Sequence, residues 1–179
     1  MGNPWALHGA KKNLSAYERN RVFLNYQGKQ FFDISFLTGA DSDGDARSAV
    51  PGDFNNDGMP DLLVRQVGGG SVMLYENQFP RAHWLKVSLH GVRSNSLGIG
   101  SRLVAELNGH RIVRDLYPAN TFASQAPSYV HFGLGEFTEV ERLSIHWPSG
   151  TQQVLLHLAA DQHIEVTEGE AETRRLVGR

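Results

Sequence analysis

From about Arg81 onward, apolar residues return at every second position, and this alternation limits the fold more than any other feature of the chain. Leu85, Val87 and Leu89 fall on one side of a strand, with Lys86, Ser88 and His90 on the other. Leu103, Ala105 and Leu107 repeat the pattern. So do Val130, Phe132 and Leu134 against Tyr129, His131 and Gly133, and Leu143, Ile145 and Trp147 against Arg142, Ser144 and His146. Successive side chains of a strand point to opposite faces, so a period of two predicts antiparallel sheets with one apolar and one wet face. Asn108-Gly109 lies between two such runs, and this pair suits a type I′ hairpin turn because both central positions need positive φ. Trp147-Pro148-Ser149-Gly150 predicts a second turn, with Pro fixing φ at its second position. Ile164 and Val166 end the patterned part. The charged segment that follows, Glu168 to Arg179, is expected to be a mobile tail. A single helical turn is predicted near Leu156 to Asp161. With 19 Gly and 7 Pro to make turns, the fold class is all-β.

The first half is less regular. Residues 1–20 carry no clear period and read as an irregular lead-in. Strands are predicted at Arg21 to Tyr26, Gln30 to Ser35, Asp61 to Gln66 and Ser71 to Asn77, with Gly68-Gly69-Gly70 as a turn. Val22-Phe23-Leu24-Asn25 is echoed by Met73-Leu74-Tyr75-Glu76-Asn77, at an offset of 52 residues between Asn25 and Asn77. That spacing is close to one propeller blade or array unit. The predicted organisation is a lead-in (1–20), a blade-like unit (21–80), a compact antiparallel β domain of sandwich or barrel type (81–168) and a tail (169–179).

Between two of the first-half strands lies Asp53-Phe54-Asn55-Asn56-Asp57-Gly58-Met59-Pro60-Asp61, a D-x-N-x-D-G-x-x-D segment followed at once by Leu62-Leu63-Val64. Oxygen side chains at alternate positions, with a Gly at the sharp turn, are how a short loop surrounds a hard cation. The predicted calcium ligands are Asp53, Asn55, Asp57, the backbone carbonyl of Met59, and Asp61. An EF-hand takes a bidentate acid from its twelfth position, which here is Val64, so that class is a poor match. The bland alternative is a polar surface turn, since Asp, Asn and Gly dominate turns. Three carboxylates and one amide make a modest site, suited to the weaker extracellular range of about 10⁻⁴–10⁻³ M.

Bulk properties narrow the function further. A hydrophobic content of 40% in 179 residues is enough to bury a core. Net charge is −2, and no basic run exceeds Arg174-Arg175, which argues against a nucleic-acid partner. Apolar stretches such as Val154-Leu155-Leu156 are too short to span a bilayer. There is no Cys, hence no disulfide or thiolate site. Met1-Gly2-Asn3-Pro4 lacks a secretory or myristoylation signal, and the expectation is a processed piece of a longer exported protein.

Catalysis finds little support. No G-x-S-x-G elbow or H-E-x-x-H pair is present. His90, His131 and His146 lie opposite the apolar side of their strands and are expected to face solvent. Gly98-Ile99-Gly100-Ser101-Arg102-Leu103 lacks the third Gly of a dinucleotide loop, so its glycines read as structural, as do Gly133 and Gly135. Asp41, Asp43 and Asp45 are either a solvated acidic loop or a second, looser cation site. Trp147 is expected in the core, whereas Trp84 is on the more polar side of its strand and is a candidate contact aromatic.

Two segments resemble known families. Gly52-Asp53-Phe54-Asn55-Asn56-Asp57-Gly58 with Asp61-Leu62-Leu63-Val64 resembles the FG-GAP/VCBS repeat, the calcium-loop blade of integrin-like β-propellers. Ser94-Asn95 with Gly98-Ile99-Gly100, then His131-Phe132-Gly133-Leu134-Gly135, then Trp147-Pro148-Ser149-Gly150 resemble the ASPIC/UnbV domain, which follows such repeats in cartilage acidic protein and bacterial relatives. The resemblance spans about residues 20–168 and implies a calcium-dependent propeller-type element followed by a compact β domain. It also implies export and a role in extracellular interaction or adhesion. A closed propeller takes about 4–8 blades, and this chain holds little more than one, so neighbouring blades, the second domain or a partner must cover its edges. The expected function is a non-catalytic calcium-binding module of an exported, cell-surface or periplasmic protein, with a protein partner or a glycan as ligand. An accessory subunit of a larger envelope assembly is the alternative, and a polysaccharide-acting enzyme ranks below both.

Overall fold

The computed structural model describes residues 18–26, 28–66, 70–119 and 121–176. The lead-in up to residue 17, the predicted turn at Gly68-Gly69 and the last three residues of the tail lie outside the described residues. The chain is almost entirely β, as the alternation predicts.

The first unit opens with a hairpin of β1 (Phe23–Tyr26) and β2 (Gln30–Asp33). The sequence predicts a strand running on through Ser35, but a single helical turn, α1 (Ser35–Thr38), begins there instead. The buried Ser35 hydroxyl accepts the Val22 amide, and the amides of Leu37 and Thr38 bond back to the Ile34 carbonyl. The Asp33 carboxylate also accepts the Ser35 amide at 3.0 Å, and a side chain that bonds local backbone draws it out of the strand ladder. Gly39, at φ 65°, then ends the turn. Next comes a three-stranded antiparallel sheet of β3 (Ala46–Gly52), β4 (Asp61–Gln66) and β5 (Val72–Tyr75), with β4 in the middle. β3 has no clear signature in the sequence because it holds Pro51. On an edge strand the missing N–H costs no ladder bond, and β3 is such an edge.

The second unit is a sandwich of two four-stranded sheets. Its strands are β6 (His83–His90), β7 (Arg102–Leu107), β8 (His110–Asp115), β9 (Tyr129–Gly135), β10 (Glu139–His146), β11 (Gln152–Ala159), β12 (Gln162–Thr167) and β13 (Thr173–Leu176). One sheet has the order β11-β10-β7-β8 and the other β13-β12-β6-β9. Neither closes into a barrel. Every apolar alternation read from the sequence points into the space between them. Leu85, Val87 and Leu89 from β6, Phe132 and Leu134 from β9, and Ile164 and Val166 from β12 meet Leu103 and Ala105 from β7 and Leu143 and Ile145 from β10. Trp147 joins them, and its indole N–H is satisfied by Gln153 Oε1 at 3.0 Å. Asn108 (φ 45°) and Gly109 (φ 78°) form the predicted left-handed turn between β7 and β8. The Gly150 amide closes the Trp147 turn on the Trp147 carbonyl at 3.0 Å.

Three expectations are corrected. β6 and β12 pair in parallel, not antiparallel; alternation reports which face is buried but not which way a neighbouring strand runs. Leu156 to Asp161 is not helical, since β11 runs through Ala159. His157 takes a positive φ of 55° there, so Leu155 and Leu158 are both buried three residues apart. That break in alternation imitates helical spacing. Finally, the segment after Val166 is not a loose tail over the described residues. β13 pairs with β12, and Glu168 is only 6% exposed.

Glu168 explains how the short motifs of the second half come together. Its Oε2 accepts the amides of Val92, Arg93 and Ser94 at 2.8–2.9 Å, and its Oε1 accepts the Ser94 and Ser149 hydroxyls. Asn95 folds the same loop by bonding both the amide and the carbonyl of Ile99. Gly98 lies where a Cβ would stand 2.7 Å from Leu89 Cβ, against Trp147. Burial raises the Glu168 carboxyl, but the Ser149 hydroxyl and the three amides outweigh it and hold the group down at about 2.

The core and this carboxylate each lead to a test. Phe132 is fully buried and Phe36 is 86% exposed. By chemical denaturation, Phe132→Ala should cost about 3–5 kcal/mol and Phe36→Ala no more than about 0.5 kcal/mol. Glu168 has a folded value below its ordinary 4.5, so the stability it contributes is present above that pH and is lost as pH falls from 4.5 towards 2. Glu168→Gln should lower stability at neutral pH and flatten the acid-induced loss in that window, measured as melting temperature against pH.

Candidate functional site

The Asp53–Asp61 segment is the loop of the β3–β4 hairpin, whose last ladder pair is Gly52 with Asp61. Two left-handed residues turn it, Asn56 at φ 60° and Gly58 at φ 89°. Gly58 is required twice over. Its φ favours Gly, and a Cβ there would lie 1.8 Å from the Trp84 Nε1 atom.

Each predicted ligand side chain braces the loop. Asp53 Oδ1 accepts the Asp57 amide at 3.0 Å and Oδ2 accepts the Gly58 amide at 2.9 Å. Asn55 Oδ1 also accepts the Asp57 amide, and Asn55 Nδ2 donates to Glu76 Oε1. Asp57 Oδ1 accepts the Met59 amide at 2.8 Å, with the Arg81 guanidinium 3.8 Å from Oδ2. Asp61 spans the loop, taking the Phe54 amide on Oδ2 and the Asn77 amide on Oδ1. Asn77, picked out by the internal echo, closes the base of the loop by donating to the Pro60 carbonyl. Among the described residues no three His, Asp or Glu side chains are gathered into a ready metal cluster. The chemistry of the donors still suits a hard cation. Three carboxylates, an amide oxygen and the Met59 carbonyl are all oxygen, the ligand type that calcium takes.

The loop is held from outside as well. Lys86 on β6 puts its ammonium 2.7 Å from Asp53 Oδ2, with the two side chains 5% and 0% exposed. The Tyr129 hydroxyl on β9 accepts the Asp53 amide at 3.1 Å. His131 on β9 bonds the Gly58 carbonyl through Nε2 at 2.8 Å and stacks on Trp84 at 6.3 Å between ring centroids. The Lys86 ammonium also lies 4.9 Å from the Trp84 ring and 5.8 Å from the Tyr129 ring. Lys86 faces His131 on one neighbouring strand and His163 on the other.

This arrangement corrects the reading of β6 and β9 as strands with one wet face. Lys86, expected in solvent, is buried, and His131 is half-buried. His90 and His146 do remain exposed. Trp84 is a contact aromatic, but the contact is with this chain's own Gly58. The β6–β9 face is covered because the hairpin loop lies on it. A large aromatic beside a lysine on the polar side of β6, opposite Tyr129 and His131, was the available signal. The Asp41–Asp45 loop is braced by arginines, Arg19 on Asp41 and Arg47 on Asp45.

Burial pushes the His131 imidazole below its usual 6.5; the bond to Gly58 opposes this and the Lys86 charge adds to it. Burial and then Lys86 lower His163 in the same way. An imidazole lowered on folding contributes stability that is full above pH 6.5 and is lost as pH falls through its folded value. His131→Gln keeps a donor for Gly58 and should flatten the decline in melting temperature below pH 6.5. Gly58→Ala should cost at least about 1–3 kcal/mol from backbone strain alone, read by denaturant titration.

Comparison with known families agrees with the geometry. Residues 13–64 match the FG-GAP-like repeat, and residues 91–173 match the ASPIC and UnbV family. No curated protein matches the chain. The first match contains β3 and the whole Asp53–Asp61 loop, and the second contains the Glu168 cluster and most of the sandwich. The chain is thus an FG-GAP-like repeat followed by an ASPIC/UnbV domain.

Proposed function

We propose that this chain is a non-catalytic, calcium-binding interaction module of an exported protein, acting at the cell surface, outside the cell or in the periplasm. The two-part architecture is consistent with an interaction or adhesion role. The observation that carries the calcium reading is the all-oxygen loop in the turn between β3 and β4. Its ligands would be Asp53, Asn55, Asp57, the Met59 carbonyl and Asp61. Bound calcium would supply the positive charge these oxygens share and would stiffen the hairpin. A site of this charge works at about 10⁻⁴–10⁻³ M, the calcium range outside the cytoplasm. No helix of the described residues is long and apolar enough to cross a membrane.

The partner is a protein in this reading. A second reading, an accessory subunit whose partner completes the blade, draws on the sheet edge. Among the described residues β5 pairs only with β4, and its Val72 and Leu74 are exposed. An unpaired strand edge with apolar side chains is a template for another strand. Phe36 and Leu37 of α1 add exposed apolar surface, at 86% and 82%.

Thermal unfolding in calcium against chelator, at matched ionic strength, tests the first reading. With free calcium at about ten times Kd the folded state gains about 1.4 kcal/mol, which is a rise of about 3–6 °C for a chain of this size. Magnesium should not reproduce the rise and Asp57→Ala should abolish it. An unchanged calcium response in Asp57→Ala would remove the assignment. For the second reading, the outer-edge amides of β5 should exchange rapidly in the isolated chain; full protection would mean that the edge needs no partner.

A further inference from the structure

We propose that Lys86 is the built-in cation of the Asp53–Asp61 loop. It holds the Asp53 carboxylate, and through it the junction between repeat and sandwich, when no metal is bound. It also weakens the loop's hold on a metal. The second statement rests on the calcium reading; the first does not.

The case is geometric. Lysine is almost never fully buried unless it is paired, and Lys86 is buried with its ammonium 2.7 Å from Asp53. Asp53 stands at the first position of the loop and carries the amides of Asp57 and Gly58 as well. The positive charge that balances it comes from a different sheet, 33 residues further along the chain. The faces of Trp84 and Tyr129 flank the ammonium, and an ammonium is attracted to an aromatic face. On either side Lys86 has histidines in register, His131 and His163. Among the described residues, Asp53 is the one carboxylate brought within ion-pair distance of it. A divalent cation ligated by Asp53 would share that carboxylate with an ammonium, and like charges a few ångströms apart repel. Lys86 therefore does part of the metal's work and opposes its binding.

The test is a thermal double-mutant cycle on the whole chain in excess chelator, with Lys86→Met and Asp53→Asn singly and together. Lys86→Met should cost many degrees when Asp53 is present and little in the Asp53→Asn background. Equal cost in both backgrounds would overturn the proposal. Should Lys86→Met alone fail to fold, the double variant, which leaves no unpaired charge, is expected to fold. A double variant that stays unfolded while Asp53→Asn folds would overturn the proposal too.

Calcium titration of wild type and Lys86→Met then tests the competition. The midpoint should move to lower free calcium on the order of tenfold in the variant. Coincident midpoints would overturn the competition. A lack of calcium response in both proteins would remove the calcium reading and the competition with it, while the chelator cycle alone decides the latch.

Discussion

An ammonium and a carboxylate taken out of water together lose several kcal/mol of hydration each, and stand only with close geometry and further hydrogen bonds. Lys86 and Asp53 meet both conditions, at 2.7 Å and with two backbone amides on the same carboxylate. Much of the arrangement depends on this pair. It fixes one end of the loop to β6, and Tyr129 and His131 fix two further points to β9. The part of the outer face of the β13-β12-β6-β9 sheet around Lys86, Tyr129 and His131 is then covered by a loop from another sheet. Removing one partner of such a pair costs about 3–5 kcal/mol, because the charge left behind is buried and alone.

The consequence for function is that repeat and sandwich share a site. The loop nominated for calcium touches Lys86 and Tyr129 of the following domain through Asp53, and Trp84 and His131 through Gly58. Any change at the loop, whether a cation or a substitution, changes the junction, because Asp53 takes part in both. Elsewhere the repeat shows the reverse condition. There β5 has an open edge among the described residues, and the aromatic side chains of the first hairpin are exposed. One part of the repeat is satisfied by its own chain, while the β5 edge stands unpaired among the described residues.

The sandwich core was legible in the sequence because alternation is a local property. Leu85, Val87, Leu89 and their counterparts on the other core strands needed only period two to be placed inside. The Asn108-Gly109 turn and the position of the Asp53–Asp61 loop between strands were legible for the same local reason. What escaped depends on partners far along the chain. Alternation shows that one face of β6 is apolar, but whether the other is wet depends on a loop well upstream, so Lys86 read as solvated. The parallel pairing of β6 and β12 joins strands as far apart as Leu85 and Gln162 and leaves no local mark. β11 misled because His157, in a left-handed conformation, breaks the alternation. The charged segment after Val166 misled because Glu168 has its partners in two earlier loops.

The central claim is that the loop and the sandwich open as one unit, held by Lys86. Native-state hydrogen exchange of the Asp57 and Gly58 amides in chelator tests it directly, since both donate to Asp53. The account predicts protection approaching that of the Phe132 and Ile145 amides in the wild type. In Lys86→Met the loop amides should exchange much faster while the core amides follow global stability. Rapid exchange of the loop amides in the wild type, unchanged on losing Lys86, would contradict it.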